Sequence, residues 1–143
     1  MTAEPDALEV ATRALARRDF SERGLRERLR RAGVTEAGEE EALAALQRAG
    51  VIDDGRFAQT RAEALAERGK GDAAIRFDLS RQGVSNHTAE EALASLEPER
   101  TRAERVVAQR GRSVATARLL ARRGFGDEAV EAAVARGDRA ELG

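Results

Sequence analysis

The chain has 143 residues, of which 41% are hydrophobic and 36% are charged, and its formal net charge is -1. It contains no cysteine and one histidine, which excludes disulfides and thiolate metal sites, so we expect neither a metal ion nor another cofactor. A nearly neutral chain has no general attraction to nucleic acid, and four phenylalanines without tryptophan or tyrosine offer few surfaces for stacking bases.

Alanine, leucine, arginine and glutamate dominate the sequence and only two prolines interrupt it, which predicts an all-α fold. The first ten residues, MTAEPDALEV, carry acids and a proline rather than a basic segment followed by an apolar one, and no apolar run reaches membrane-spanning length. We therefore expect no export signal, no membrane anchor and a cytoplasmic location. The first predicted helix begins at residue 7 and places Leu8, Ala11 and Leu15 on one face.

A pattern of helix, tight turn and helix then occurs three times, each time around one glycine-hydrophobic pair: Gly33-Val34, Gly83-Val84 and Gly124-Phe125. In the first two copies the sequence EEALAAL after one glycine is nearly matched by EEALASL after the other, and the third copy is weaker. A glycine in this position can take the left-handed conformation that ends a helix, while the next apolar residue folds back onto the last turn as a Schellman motif.

A further helix precedes each of these three two-helix units, so the sequence predicts nine helices in three tandem three-helix repeats. We place the repeats at residues 1–50, 51–97 and 98–143. One such group is too small to bury its apolar stripe well, so we expect neighbouring groups to stack, to share a core, and to form an elongated or curved array. We expect this array to be a monomer.

Several helix starts carry recognisable caps. Thr35 is an N-cap candidate in the first copy, and Thr88 with Glu91 forms a candidate capping box in the second. An acidic residue, Asp53 or Asp54, caps the helix that precedes the second copy, and Pro98 opens the corresponding helix of the third.

The segment RGKG at residues 68–71 holds the only lysine of the chain and has the look of a phosphate-binding loop. A P-loop requires a serine or threonine directly after its lysine and a strand before the loop, and neither condition is met here. We therefore interpret the segment as a joint, in which Gly69 ends one helix, Gly71 allows a turn and Asp72 caps the next helix.

No serine, histidine and acidic residue form a recognisable catalytic set, so we expect no enzymatic activity. His87 lies in the turn VSNHT, where we expect an exposed side chain. We expect Phe57 to pack in the core. Phe77 falls away from the stripe of Ile75 and Leu79, and we favour packing over contact with a partner for it.

The basic residues are more informative by position than by number. If stacking brings their helix faces to one side of the array, they form a basic strip able to follow phosphates or an acidic protein groove. The alternative is a solvated surface balanced by nearby Glu22, Glu27 and Glu63. The candidate contact residues are Arg13, Arg17, Arg23, Arg26, Arg30, Arg61, Arg68, Lys70, Arg76 and Arg81.

Four segments resemble the RecX family of bacterial regulatory proteins, which modulate the recombinase RecA. They are ALARRDFSERGLRERLRRAGV, LQRAGVIDDGRFAQTRAEAL, RGKGDAAIRFDLSRQGV and ARLLARRGFGDEAVEAAV, at residues 14–34, 46–65, 68–84 and 117–134. The resemblance implies tandem three-helix repeats and a non-enzymatic protein that binds the RecA-DNA filament along its groove. It also implies restraint of ATP hydrolysis, strand exchange and coprotease activity, and members of the family can bind DNA directly.

The leading hypothesis is therefore a modulator of the RecA filament, acting in homologous recombination, DNA repair and the SOS response. Two alternatives stay open from the sequence. One is a helical module that binds single- or double-stranded DNA without RecA, and the other is a helical scaffold for some other protein.

Overall fold

The computed structural model describes the backbone of residues 4–142 and the side chains of residues 4–135. Within residues 4–142 it contains nine α-helices and no strand, which confirms the all-α prediction. We call α1–α3 repeat 1, α4–α6 repeat 2 and α7–α9 repeat 3. The helices are α1 (Ala7–Arg17), α2 (Glu22–Arg31), α3 (Glu36–Arg48), α4 (Asp54–Glu67), α5 (Asp72–Arg81), α6 (Asn86–Ala94), α7 (Glu99–Arg110), α8 (Val114–Arg122) and α9 (Asp127–Leu142).

The middle helix of each repeat ends in the Schellman geometry that the glycine-hydrophobic pairs predict. After α2, Gly33 has a φ of 89°, and its N–H and that of Val34 donate to the carbonyl oxygens of Arg30 and Leu29 at 3.0 and 3.1 Å. The glycines after α5 and α8 have φ values of 85° and 91° and make the same pair of bonds. These positive φ values explain why a glycine stands at each of the three positions.

Two predicted N-caps are confirmed, since the side chains of Thr35 and Asp53 each accept a hydrogen bond from the main-chain N–H of the third residue of the helix. The capping box at Thr88 is wrong. Ser85 caps α6 instead, and its hydroxyl accepts a 3.2 Å bond from the N–H of Thr88. Ser85 directly follows the apolar residue of the Schellman turn, as Thr35 does in repeat 1, so the turn sets the position of the cap.

The joint at residues 68–71 differs from the prediction in one respect. Gly69 ends α4 with a φ of 84°, as expected, but the N-cap of α5 is Gly71 rather than Asp72. Asp72 is the first helical residue, and its carboxylate binds the guanidinium of Arg102 in repeat 3. The segment is thus a joint between helices that also contacts the following repeat.

Three separate hydrophobic clusters form the core, one in each repeat. Leu25 and Leu29 are fully buried in repeat 1, Ile75 and Leu79 in repeat 2, and Leu120 in repeat 3. The expectation that neighbouring repeats share one core is wrong. Each three-helix group buries its own apolar stripe, and the groups are joined mainly by polar contacts at helix ends.

Consecutive repeats meet at two joints, the first between repeats 1 and 2 and the second between repeats 2 and 3. At each joint the start of one repeat's middle helix lies against the end of the next repeat's middle helix. At the first joint the hydroxyl of Ser21, which caps α2, donates to the carbonyl oxygen of Gln82 at the end of α5. At the second joint the N–H of Gly71 donates to the carbonyl oxygen of Arg123 at the end of α8, at 2.8 Å. The positive end of one helix therefore faces the negative end of the next, an arrangement that helix dipoles favour.

Carboxylates from the first helix of the following repeat close the same joints. Asp54 accepts a 2.8 Å hydrogen bond from the N–H of Glu22, and Glu99 accepts one of 3.1 Å from the N–H of Asp72. Among the described residues, the hydrogen bonds between repeats join only consecutive repeats. The repeat boundaries at 1–50, 51–97 and 98–143 stay a prediction, and residues 1–3 and 143 lie outside the described residues.

The side chains of Phe57, Phe77 and the one histidine divide between core and surface. Phe57 is buried, as predicted, whereas 65% of Phe77 is exposed, so the preference for packing at Phe77 is wrong. His87 is exposed and lies in the first turn of α6, with Nε2 2.9 Å from a carboxylate oxygen of Glu91. In the described residues, no helix is long and apolar enough to span a membrane, and no three metal-ligating side chains form a cluster.

Candidate phosphate-binding site

A concavity of about 350 Å³ lies where repeat 1 meets repeat 2. Six arginines line it and Glu27 is the one carboxylate among the lining residues, so its field is strongly positive. We call this concavity the arginine bowl. Its arginines are Arg17 and Arg18 at the end of α1, Arg23, Arg28 and Arg31 on α2, and Arg81 at the end of α5.

The helical repeat of α2 explains why part of this helix lines the bowl. Leu25 and Leu29 face the core of repeat 1. Gly24, Arg28 and Arg31 share the flank of α2 that borders the bowl, because residues three and four apart lie on one face of a helix. Gly24 adds no side chain, so it leaves the floor of the bowl open.

Arg23 and Arg18 are held in place by contacts within the protein. Nη2 of Arg23 donates a 2.7 Å hydrogen bond to the carbonyl oxygen of Arg81, and its Nε lies 3.8 Å from a carboxylate oxygen of Glu27. The guanidinium carbon of Arg18 lies 3.9 Å from the ring centroid of Phe20, which is a cation-π contact. The contacts fix the side chains of these two arginines in the wall of the bowl.

Arg17, Arg28 and Arg31 are exposed and form no ion pair with any described side chain. Their guanidinium groups can therefore bind an external anion without first leaving a carboxylate. Guanidinium presents a planar fork of donors that matches the oxygens of a phosphate, and each such bond is strengthened by the charge of both partners. The arrangement is suited to binding phosphate groups.

A second concavity, of about 250 Å³, adjoins the bowl because Arg18 lines both. Arg61 and Arg68 line it, together with Asp19 and uncharged residues. Nη2 of Arg61 is 3.0 Å from a carboxylate oxygen of Asp78, and this hydrogen bonding raises the pKa of Arg61 above its ordinary value. Arg68 forms no ion pair with a described residue and extends the basic surface of the bowl to the C-terminal end of α4.

Five of the ten predicted contact residues line the two concavities, namely Arg17, Arg23, Arg81, Arg61 and Arg68, and the other five line neither. The single strip containing all ten stays a prediction.

Three of the other five predicted contact residues are bound to carboxylates on the third helix of their own repeat. Arg26 binds Glu40, and also Glu22 at 3.1 Å, while Arg76 binds Glu90 with an Nε–Oε1 distance of 2.5 Å. These hydrogen bonds raise the pKa of both arginines above the ordinary value. They are structural ion pairs fifty positions apart, at equivalent places in repeats 1 and 2.

Arg30 makes a two-bond contact with Glu39, whose side chain is 1% exposed, at 3.2 Å for each bond. Arg13 pairs with Glu9 one turn away on α1 at 2.7 Å. Lys70 is exposed, and its carbonyl oxygen accepts a 3.0 Å bond from Arg102. None of these three lines either concavity.

Arg18, Arg28 and Arg31 belong to the bowl but were missed by the sequence prediction. The signal was present, since Arg28 and Arg31 are three residues apart on the flank of α2 that contains Gly24. The prediction instead grouped Arg23 with Arg26 and Arg30. In the structure Arg26 and Arg30 form ion pairs with carboxylates near the start of α3. Arg18 follows the last residue of α1, so helical spacing alone did not assign it to a face.

The fold and the bowl together define a class: a tandem array of three-helix units with an arginine-lined concavity between the first two. Residues 53–93 match the family model described as RecX, second three-helix domain. Over these residues the match confirms the resemblance to the RecX family found in the sequence.

Solved structures of two RecX proteins share this fold. The crystal structure of RecX from Lactobacillus salivarius aligns with a TM-score of 0.79 at 19% identity, over 92% of this chain and 94% of that chain. A crystal structure described as regulatory protein RecX aligns with a TM-score of 0.72 at 19% identity, over 88% of this chain and 71% of that one. A comparison with curated proteins found no match.

Proposed function

We propose that this chain is a RecX-type regulator, which binds the RecA-DNA filament in the cytoplasm and restrains RecA's ATPase, strand-exchange and coprotease activities. It acts as a monomeric regulator without catalytic chemistry of its own, in homologous recombination, DNA repair and the SOS response. The match to the RecX family model supports the choice of RecA as partner. The observation that supports the mode of binding is the arginine bowl.

The bowl would act on the filament by holding DNA phosphates between two consecutive repeats. Its exposed guanidinium groups come from three helices, so they can bind more than one phosphate along a strand. A regulator attached to both DNA and recombinase bridges protomers and hinders the cycle of filament growth and ATP hydrolysis. Electrostatic contact of this kind also speeds association with the negatively charged filament.

The test is the DNA-dependent ATPase rate of RecA, measured with substoichiometric amounts of this protein. We expect the wild type to lower the rate, and R28A/R31A to require several times more protein for the same inhibition. The matched control R13A/R76A removes the same charge from positions outside the bowl and should inhibit as the wild type does. Unchanged ATPase with the wild type, under conditions that permit binding, would sink the proposal.

A salt titration separates phosphate contact from contact with RecA alone. Removing one arginine that binds a phosphate should reduce the slope of log affinity against log salt by about 1. Salt-dependent binding to free DNA without any effect on RecA would point to a DNA-binding module that acts alone. If neither DNA nor RecA is bound, a scaffold for another protein is the better explanation.

A further inference from the structure

We propose that Phe77 is a base-stacking residue, which makes the arginine bowl a site for single-stranded nucleic acid. This inference rests on the proposed function, in which the bowl binds DNA phosphates. It adds a residue outside the ten predicted contacts and a preference between the two forms of DNA.

The first argument is the position of Phe77. The other three phenylalanines of the chain are buried, whereas 65% of Phe77 is exposed. Phe77 lies one helical turn before Arg81 on α5, and the guanidinium carbon of Arg81 is 5.9 Å from the centre of the Phe77 ring. Arg81 also lines the bowl, so the ring lies next to a residue of the bowl although it does not line the bowl itself.

The second argument is the surroundings of the ring. The other large exposed hydrophobic side chains, Leu8, Val51 and Val114, lie outside α5. The neighbours of Phe77 one turn away on its own helix are two alanines, a serine and Arg81. A protein-docking surface would contain a contiguous apolar patch, whereas a lone ring beside a cation suits a flat, polar-edged group.

A nucleobase meets this description. Its π face stacks on a phenylalanine ring, and the guanidinium of Arg81 can lie against the same base while neighbouring arginines bind the phosphates. Bases in a duplex are already stacked on one another and present no free face. A strand with unpaired bases can therefore use both Phe77 and the bowl, whereas a duplex can use only the bowl.

The experiment measures binding by fluorescence anisotropy, without RecA, using three labelled probes with equal numbers of phosphates in the binding strand. The probes are an oligothymidylate, an oligomer of abasic nucleotides, and a hairpin duplex. We expect the wild type to bind the oligothymidylate about tenfold more tightly than the abasic strand, which corresponds to the stacking of one base.

Two variants at Phe77 separate stacking from bulk. F77A and F77L should each weaken binding of oligothymidylate about tenfold, since neither side chain offers a π face, and should leave binding of the abasic strand unchanged. Because Phe77 is exposed, both variants should keep the helical content and melting temperature of the wild type. R28A/R31A should weaken binding of both single strands by the same factor.

Equal affinity of the wild type for the thymidylate and abasic strands would overturn the stacking role, as would an F77A variant with unchanged preference. Loss of RecA inhibition in F77A without any change in DNA binding would also overturn it and would assign Phe77 to a protein contact. These outcomes are distinct from failure of the proposed function. That function fails when the wild type leaves RecA's ATPase unchanged, whatever the base preference.

Discussion

Nη2 of Arg23, in the first turn of α2, donates a 2.7 Å hydrogen bond to the main-chain carbonyl oxygen of Arg81, the last residue of α5. A cation at a helix C-terminus is stabilised by the partial negative charge of the unpaired carbonyls there. The bond therefore attaches repeat 1 to repeat 2 and at the same time positions two walls of the arginine bowl. The shape of the candidate site depends on this joint.

The two joints of the array use equivalent positions with different chemistry. Ser21 and Arg23 in repeat 1 correspond to Gly71 and Ala73 in repeat 2, fifty positions later. At the first joint the side chains of Ser21 and Arg23 reach the carbonyls of α5, whereas at the second the N–H groups of Gly71 and Ala73 reach the end of α8 directly. The side chains at the first joint hold the two helix ends farther apart and leave room for the bowl. At the second joint the backbones are in direct contact, which closes the gap.

Substituting Gly71 tests this close approach. A Cβ atom added at Gly71 would lie 2.3 Å from the nitrogen of Phe125 and 2.5 Å from the oxygen of Gly124, and these are backbone atoms that cannot rotate away. We expect Gly71→Ala to lower the free energy of unfolding by about 2 kcal/mol, as overpacking at rigid contacts does. Urea denaturation followed by circular dichroism measures the loss.

Gly50→Ala is the matched control for the Gly71 substitution. Gly50 has a positive φ of 71° but nothing within 4 Å of the added Cβ, so the change costs about 1 kcal/mol of backbone strain without a clash. Gly71 has an ordinary φ of -86°, so only the contact across the joint opposes alanine there. A G71A variant as stable as the wild type would show that the two repeats are not in direct contact.

The ion pair between Arg76 and Glu90 allows a test of whether Arg76 stabilises the fold. Their side chains are 46% and 55% exposed, so we expect Arg76→Glu to lower the free energy of unfolding by only about 0.5 kcal/mol, through loss of the pair and repulsion from Glu90. The swapped variant R76E/E90R restores an ion pair and should recover part of the loss. Denaturation of the two single variants, the double variant and the wild type gives the coupling energy.

The same swap also has a functional expectation. Because Arg76 lies outside the bowl, R76E/E90R should inhibit RecA as the wild type does. Weaker inhibition by the folded double variant would contradict this and would return Arg76 to the contact surface. A simultaneous reversal of Arg26, Arg30 and Arg76 is a poor test of binding, since it places a new carboxylate against Glu40, Glu39 and Glu90.

The sequence was sufficient for the local fold because each repeat is built from short-range signals. The glycine-hydrophobic pairs predict the helix ends, and Thr35 and Asp53 predict helix starts, since a cap bonds only within its own turn. The position of Ser85 was predictable in the same way from its place after Val84. The resemblance to the RecX family could be recognised because the four RecX-like segments occur in order along the chain.

The bowl could not be predicted from the sequence because it is formed by residues that are distant in the chain. Its residues extend from α1 to α5, and the pairing of an α2 start with an α5 end depends on how two repeats meet. Local charge patterns could not show that Arg26 and Arg30 are bound to α3 while Arg28 and Arg31 are unpaired among the described residues. The exposure of Phe77 likewise depends on which residues of its helix the neighbouring helices cover.

The acid sensitivity of the fold gives a prediction for Glu90. The hydrogen bond from Arg76 lowers the pKa of Glu90 below its ordinary value of 4.5. A lowered pKa in the folded state means that the pair's stabilisation is fully present above pH 4.5 and is lost as the pH falls through the folded-state pKa. We expect E90Q to be less stable than the wild type at pH 7 by a few tenths of a kcal/mol, since the pair is exposed.

The informative quantity is the difference in unfolding free energy between the wild type and E90Q, measured by urea denaturation at pH values from 7 down to 3. Burial raises the pKa of Glu99, and the hydrogen bond from Arg105 lowers the pKa of Glu97. Both effects are common to the wild type and E90Q, so they cancel in the difference. The difference should shrink below pH 4.5, and 1 M salt at pH 7 should also reduce it, because salt screens exposed charges. A difference that stays constant over the whole pH range would mean that the Glu90 carboxylate does not stabilise the fold through its charge.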